Sequence, residues 1–151
     1  MPSPSMKSTF LSESEAVEAL QLQPGFTVAE IGLGQFVAKI AREVGPEGHI
    51  FPADAKRNDR LPDGCCDRVL MANRWAELDD PLATLAESAR LLAEGGRLVI
   101  IERHRAEPGG INFPELIQTL EHNHWDVHRH GDAGAHCYYV EVGVSDQSCQ
   151  S

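Results

Sequence analysis

The segment Pro24-Gly25-Phe26-Thr27-Val28-Ala29-Glu30-Ile31-Gly32-Leu33-Gly34 decides the fold. Pro24-Gly25 ends whatever precedes it. Thr27 to Ile31 reads as a strand from its β-branched residues, and Gly32-Leu33-Gly34 turns the chain at the strand's end. A helix follows at once, because Phe36, Val37, Ile40, Ala41 and Val44 share one face. Gly45-Pro46-Glu47-Gly48 is a turn. His49-Ile50-Phe51-Pro52-Ala53-Asp54 is a second, short strand. The whole is a β-α-β unit with a glycine turn between strand and helix.

Upstream, Ser12-Glu13-Ser14-Glu15 matches a capping box and predicts a helix carrying Ala16, Val17 and Leu20. Downstream, residues 56–64 form a polar loop and residues 67–72 a third strand. Asp79-Asp80-Pro81 starts a helix, with an acid as cap and proline just inside. Its expected apolar face is Leu82, Leu85, Ala86, Ala89 and Leu92, and Gly95-Gly96 is expected to stop it. Arg97-Leu98-Val99-Ile100-Ile101 is a strand apolar on both faces. A last helix is expected over 114–124, then two strands over 125–130 and 137–144, joined across Gly131-Asp132-Ala133-Gly134. This alternation predicts an α/β, Rossmann-like fold. It has a mainly parallel sheet, helices on both faces and a C-terminal antiparallel hairpin. Residues 12–144 are expected to form one domain, between flexible tails at 1–11 and 145–151.

The chain has 13 Lys and Arg against 23 Asp and Glu, a formal net charge of −10. Binding to a nucleic-acid backbone needs clustered cations, so no nucleic-acid partner is expected. No apolar run approaches the ~20 residues of a membrane span, so no membrane partner is expected either. The polar, Ser/Pro-rich start lacks the charged head and apolar core of a secretory signal, which makes a cytoplasmic location the expectation. Cys65, Cys66, Cys137 and Cys149 form no C-x-x-C pair and read as free thiols. Adjacent Cys65 and Cys66 are read as small apolar fillers, with a reactive vicinal pair as the alternative. Trp75 and Trp125 read as core or pocket-wall residues.

Three stretches together resemble the class I S-adenosylmethionine-dependent methyltransferases of the type 11 kind. The first is Pro24 to Gly34, similar to the family's acid-ended strand and glycine turn. The second is Leu70-Met71-Ala72-Asn73 through Glu77-Leu78-Asp79-Asp80-Pro81, similar to the segment after the family's fourth strand. The third is Leu91-Leu92-Ala93-Glu94-Gly95-Gly96-Arg97-Leu98-Val99-Ile100, similar to its approach to strand five. The likeness runs from about Ser12 to Val144. It implies S-adenosylmethionine as cofactor. Glu30, Gly32 and Gly34 would line the turn at its amino-acid end, Asp54 would accept from the ribose hydroxyls, and Asn73 would sit near the sulfonium. Read from the residues alone, Glu30, Gly32 and Gly34 are equally a turn kept for its shape, Asp54 a solvated loop acid, and Asn73 a turn cap.

The chain departs from the family in two places. The usual G-x-G-x-G is cut short, since Gly32-Leu33-Gly34-Gln35 runs into Phe36, a bulky side chain expected to obstruct close backbone approach. Residues 54–67 have room only for a loop, whereas a helix of ~11 and a strand of ~5 residues would be needed for the family's next unit. One internal β-α unit is therefore expected to be missing. The second strand then becomes a sheet edge, where Pro52 is tolerated, although a bulge would explain Pro52 too. The adenosine side of the pocket would be open unless a homodimer or a partner protein covered that edge.

His122, His124, His128, His130 and His136 cluster near the C-terminus. Strand alternation places His128 and His130 on one face. With His136 or Cys137 they define a candidate zinc, copper or nickel site, against a polar solvent-facing edge as the alternative. Glu77 and His104 are candidate bases. Two functions are thus expected from the sequence. One is an S-adenosylmethionine-dependent methyltransferase acting on a small-molecule acceptor. The other is a catalytically inactive binding or dimerisation module of the same fold.

Overall fold

A computed structural model describes residues 12–32 and 34–145. Residues 1–11, Leu33 and residues 146–151 lie outside the described residues, and with them the expected N-terminal tail, most of the C-terminal one, and Cys149. Ser145 still belongs to the fold, since it is buried and its amide donates to the His124 carbonyl at 2.8 Å.

The elements run α1 (Glu13–Leu20), β1 (Thr27–Ile31), α2 (Val37–Val44), β2 (His49–Ala53), β3 (Cys66–Ala72), a 3-10 turn (Trp75–Glu77), α3 (Pro81–Leu91), β4 (Leu92–Arg103), α4 (Phe113–His122), β5 (Trp125–Asp132) and β6 (Cys137–Val144). Ser12 caps α1: its hydroxyl accepts the Glu15 amide at 3.2 Å, as in a capping box, and donates to Glu15 Oε1 at 2.9 Å. Asp80 and Asn112 cap α3 and α4 by accepting the Ala83 and Glu115 amides, each before a proline in the first turn.

The six strands form one sheet in the order β2-β1-β3-β4-β6-β5. β2, β1, β3 and β4 pair in parallel, and β6 enters antiparallel between β4 and β5. Side chains alternate along the strands, so the sheet has two cores. Ala29, Ile31, Val69, Met71, Leu98 and Ile100 pack with Leu85 of α3 and Leu116 and Leu120 of α4. Val28, Leu70, Ala72, Val99 and Ile101 pack with α1 and with Phe36, Ile40 and Val44 at α2. This is the double winding expected from the strand-helix alternation.

β2 is an outer strand with Pro52 exposed on it, as the missing unit implies. From β2 the chain crosses to β3 through residues 54–65 without a helix. That crossover explains a departure from the expected face of α3. Thr84, Leu85, Glu87, Ser88 and Leu91 are buried, while Ala86 is exposed and Leu82 is 52% exposed. A helix-free crossover carries backbone groups that need partners, and the polar residues of α3 supply them.

Two further expectations change. Leu92 is already extended and pairs with Cys66, so α3 ends at Leu91 and Gly95-Gly96 lie within β4, where the β3 register shifts. Gly95 is left-handed (φ 80), and a Cβ on Gly96 would lie 3.0 Å from the Ala93 carbonyl oxygen, so the pair shapes a bulge and does not stop the helix. Phe36 does not obstruct the glycine turn, because its ring is buried in the core between sheet and helices, 2% exposed.

Candidate functional site

Parallel register brings the carboxyl ends of the strands level. Ile31 pairs with Ala53 on one side and Met71 on the other, and Met71 pairs with Ile100. One residue further along, Asp54, Gly32 and Ala72 form a row, and Asn73 and Glu102 follow. β1 has β2 on one side and β3 on the other, so the chain changes direction between β1 and β3. In open α/β sheets the crevice at such a switch point is where ligands bind. Glu30, Gly32, Gly34 and Asn73 flank this crevice, and Asp54 stands next to it on the β2 side.

Glu30 is 2% exposed. Burial pushes its carboxyl above the ordinary range, against the opposing effect of a hydrogen bond from the Phe36 amide. Its Oε1 has no hydrogen-bond partner. Gly34 has φ 79, a left-handed conformation that costs glycine little. A Cβ on Gly32 would lie 3.7 Å from Glu30 Oε2 and 3.8 Å from Cγ and Cδ of Arg74. The glycine therefore keeps the backbone bare between a carboxylate on one side and the arginine stem on the other. Asn73 is also left-handed (φ 56), its amide donates to the Ile101 carbonyl at 2.8 Å, and its buried Oδ1 has no partner. Arg74 donates from Nη1 to Glu77 Oε1 at 2.6 Å, while its buried Nε has no partner.

Glu102, which the sequence analysis did not single out, holds this corner together. It is 2% exposed and accepts the Arg74 and Trp75 amides on Oε2 at 3.1 and 3.0 Å. Burial pushes its carboxyl up to about 7, the two amides pulling the other way. Glu102 thus ties the loop that carries Asn73 and Arg74 to β4. The signal was present: it is the first acid after the apolar run Leu98-Val99-Ile100-Ile101.

Asp54 is exposed at the end of β2, and its backbone is fixed by Asn58. The Asp54 amide donates to Asn58 Oδ1 at 2.7 Å, and Asn58 Nδ2 donates to the Asp54 carbonyl at 3.0 Å. Glu87 Oε2 accepts the Asn58 amide at 2.7 Å and Asn58 Nδ2 at 3.1 Å. Arg90 grips both oxygens of Glu87, at 2.8 and 2.7 Å, and donates to the Asn58 and Leu61 carbonyls at 2.9 Å each. Arg90 holds the Glu87 carboxyl down at about 2, despite burial. A cavity of about 470 Å³ beside this network is lined by Phe51, Pro52, Asp54, Arg57, Asn58 and Leu61 among others. A second, of about 330 Å³, lies beyond β3 and β4 and is lined by Trp75, Arg105, Ile111, Asn112, Glu115 and Leu116 among others.

Of the two candidate bases, Glu77 reaches the site's rim through Arg74. His104 points elsewhere, with Nε2 3.8 Å from Asp132 Oδ1 and its ring tilted against Tyr138. Cys66 is fully buried and burial raises its thiol pKa, which fits the filler role. Trp125 is core and Trp75 lines a pocket wall. The same-face geometry of His128 and His130 is broken by a bulge between Val127 and Arg129. His128 Nε2 lies 3.0 Å from the Cβ position of Gly143, whereas the His130 ring packs on Phe113 of α4. His136 Nδ1 lies 2.7 Å from Glu107 Oε2, and His122 Nδ1 3.0 Å from the Gln118 carbonyl oxygen. Among the described residues, no three His, Cys, Asp or Glu side chains converge on one point. No described helix is long and apolar enough to cross a membrane.

The family profile described as Methyltransferase domain matches residues 13–100. No curated protein matches the chain. Among solved structures, the chain is similar to a SAM-dependent methyltransferase from Aquifex aeolicus, with a TM-score of 0.79 and 19% identity over 94% of this chain and 98% of that one. Those shares show two domains of nearly equal size. It is also similar to the 1,6-didemethyltoxoflavin-N1-methyltransferase of Burkholderia thailandensis, solved with 1,6-didemethyltoxoflavin and S-adenosylhomocysteine bound (TM-score 0.72, 16% identity, 95% of this chain and 82% of that one). A third is a TehB-like SAM-dependent methyltransferase from Corynebacterium glutamicum (TM-score 0.66, 14% identity, 88% of each chain). At these identities the likeness is one of fold.

Proposed function

The chain belongs to the methyltransferase domain family, and from that premise we propose that it is an S-adenosylmethionine-dependent methyltransferase acting on a small-molecule acceptor. The observation that carries the reading is the gathering of unpartnered buried polar atoms at the switch point: Glu30 Oε1, Asn73 Oδ1 and Arg74 Nε. Buried polar atoms are rarely left without partners, and a ligand with matching donors and acceptors would satisfy these.

The residues fit that cofactor. Its ammonium suits the Glu30 carboxylate, and the space above Gly32 and Gly34 admits its amino-acid end. Asp54, exposed and held by its backbone, is free to accept from ribose hydroxyls. Bound, the cofactor supplies a methyl group on a sulfonium for direct displacement by the acceptor. The protein's share is positioning: Glu30, Gly32 and Gly34 fix one end, Asp54 the other, and Asn73 the side facing the acceptor. Holding two reactants in line accounts for much of such a rate. The cavity beside Trp75 and Arg105 lies on that side and is the place we assign to the acceptor. The exposed β2 edge is where a second copy or a partner protein would complete the adenosine side. The location that suits this reading is the cytoplasm.

Isothermal titration of the metal-free protein with S-adenosylmethionine and S-adenosylhomocysteine tests the reading. Saturable micromolar binding is expected, and Asp54→Ala is expected to weaken it by roughly tenfold or more, the worth of hydrogen bonds to a charged group. No heat at millimolar ligand from folded protein would refute it.

A further inference from the structure

Arg74 has an arrangement that its local contacts do not explain. Its amide is held by Glu102 at 3.1 Å and its Nη1 by Glu77 at 2.6 Å, so both ends of the residue are anchored. Between those anchors the stem passes 3.8 Å from the Cβ position of Gly32, and Nε is buried without an acceptor. Nε and Nη2 share the edge of the guanidinium that Glu77 leaves open, and such an edge matches the two oxygens of a carboxylate. Across the same glycine, Glu30 Oε2 lies 3.7 Å from that Cβ position. The two charges do not neutralise one another, since Glu30 Oε1 and Arg74 Nε both lack a partner.

A cation and an anion on either side of a glycine suit a zwitterion. An α-amino-acid group carries its carboxylate and ammonium on one carbon, and without a Cβ Gly32 lets that carbon approach its backbone closely. The Phe36 amide is already committed to Glu30. We infer that Arg74 binds the carboxylate of the cofactor's amino-acid end, making with Glu30 a two-sided receptor for an α-amino-acid group. The inference rests on the cofactor reading above.

The test is calorimetric, on wild type and Arg74→Ala, with two probes. S-adenosylhomocysteine carries the amino-acid group, and methylthioadenosine has the same adenosine and thioether without it. The expected result is that Arg74→Ala weakens S-adenosylhomocysteine binding about 10- to 100-fold, as for a lost charge-assisted hydrogen bond, and leaves methylthioadenosine binding unchanged. The unchanged probe also reports that the variant is folded. Equal weakening of both probes would overturn the inference, since Arg74 would then only shape the pocket. No change in either would overturn it as well. So would tighter S-adenosylhomocysteine binding, which would make the guanidinium a plug. If wild type binds neither probe, the cofactor reading itself fails and takes this one with it.

Discussion

Arg90→Ala is expected to lower the urea midpoint of unfolding clearly, because it strips the buried Glu87 carboxylate of its cation. Arg90 closes the helix-free crossover from β2 to β3. It pairs with buried Glu87 through two nitrogens and satisfies the carbonyls of Asn58 and Leu61. Without it, Glu87 is a buried carboxylate with only Asn58 as donor, and two carbonyls lose a partner. Lysine at the same position should recover only part of the loss, because it lacks the planar fork. The loss should depend on pH with a definite sign. Arg90 depresses the Glu87 carboxyl to about 2 in the folded state, from an ordinary value of 4.5. The stabilisation is therefore present above about 4.5 and lost as pH falls toward 2. Urea unfolding of wild type and variant at pH 7 and pH 3 checks both statements. An unchanged midpoint at pH 7 would mean that the crossover is held by packing alone.

Glu102 should give the opposite pH dependence. Burial lifts its carboxyl to about 7 in the folded protein, against 4.5 unfolded. Between those values the folded state holds a proton that the unfolded state has released. Stability from this group is therefore full below about 4.5 and is lost as pH rises through 7, by ~1.4 kcal/mol per pH unit and about 3 kcal/mol in all. Glu102→Gln keeps an oxygen for the Arg74 and Trp75 amides and removes the titration. Chemical unfolding at pH 5 and pH 8 should show wild type losing about 2.5 kcal/mol relative to the glutamine variant over that span. Parallel behaviour of the two proteins would show that Glu102 is ionised throughout.

The sequence carried the sheet well, because its strands are short apolar or β-branched runs bounded by glycine and proline. The meeting of Glu30, Gly32, Gly34 and Asn73 at the strand ends was legible because register forces strand ends together once the parallel order is known. The edge position of β2 was legible from Pro52 and from the shortness of residues 54–67. The buried face of α3 was not. Its Thr84 and Glu87 are buried because they bond the Ala55 carbonyl and Asn58 of a crossover that has lost its helix, and that need is tertiary. The bulge at Val127 to Arg129 was equally invisible, and it separates His128 from His130. Arg74 and Glu102 stood in plain sequence, but their roles come from contacts between β3 and β4. Gly95-Gly96 misled because a glycine pair after a helix reads as a stop, whereas here it turns a strand already begun.

The most direct test of the central claim is to titrate isotopically labelled protein with S-adenosylhomocysteine and follow its amide signals by NMR. A cofactor site at the switch point predicts that the largest shifts fall on Gly32, Gly34, Asp54, Asn73 and Arg74, with the β5–β6 hairpin unmoved. Saturable shifts centred elsewhere, or none at millimolar ligand, would contradict it.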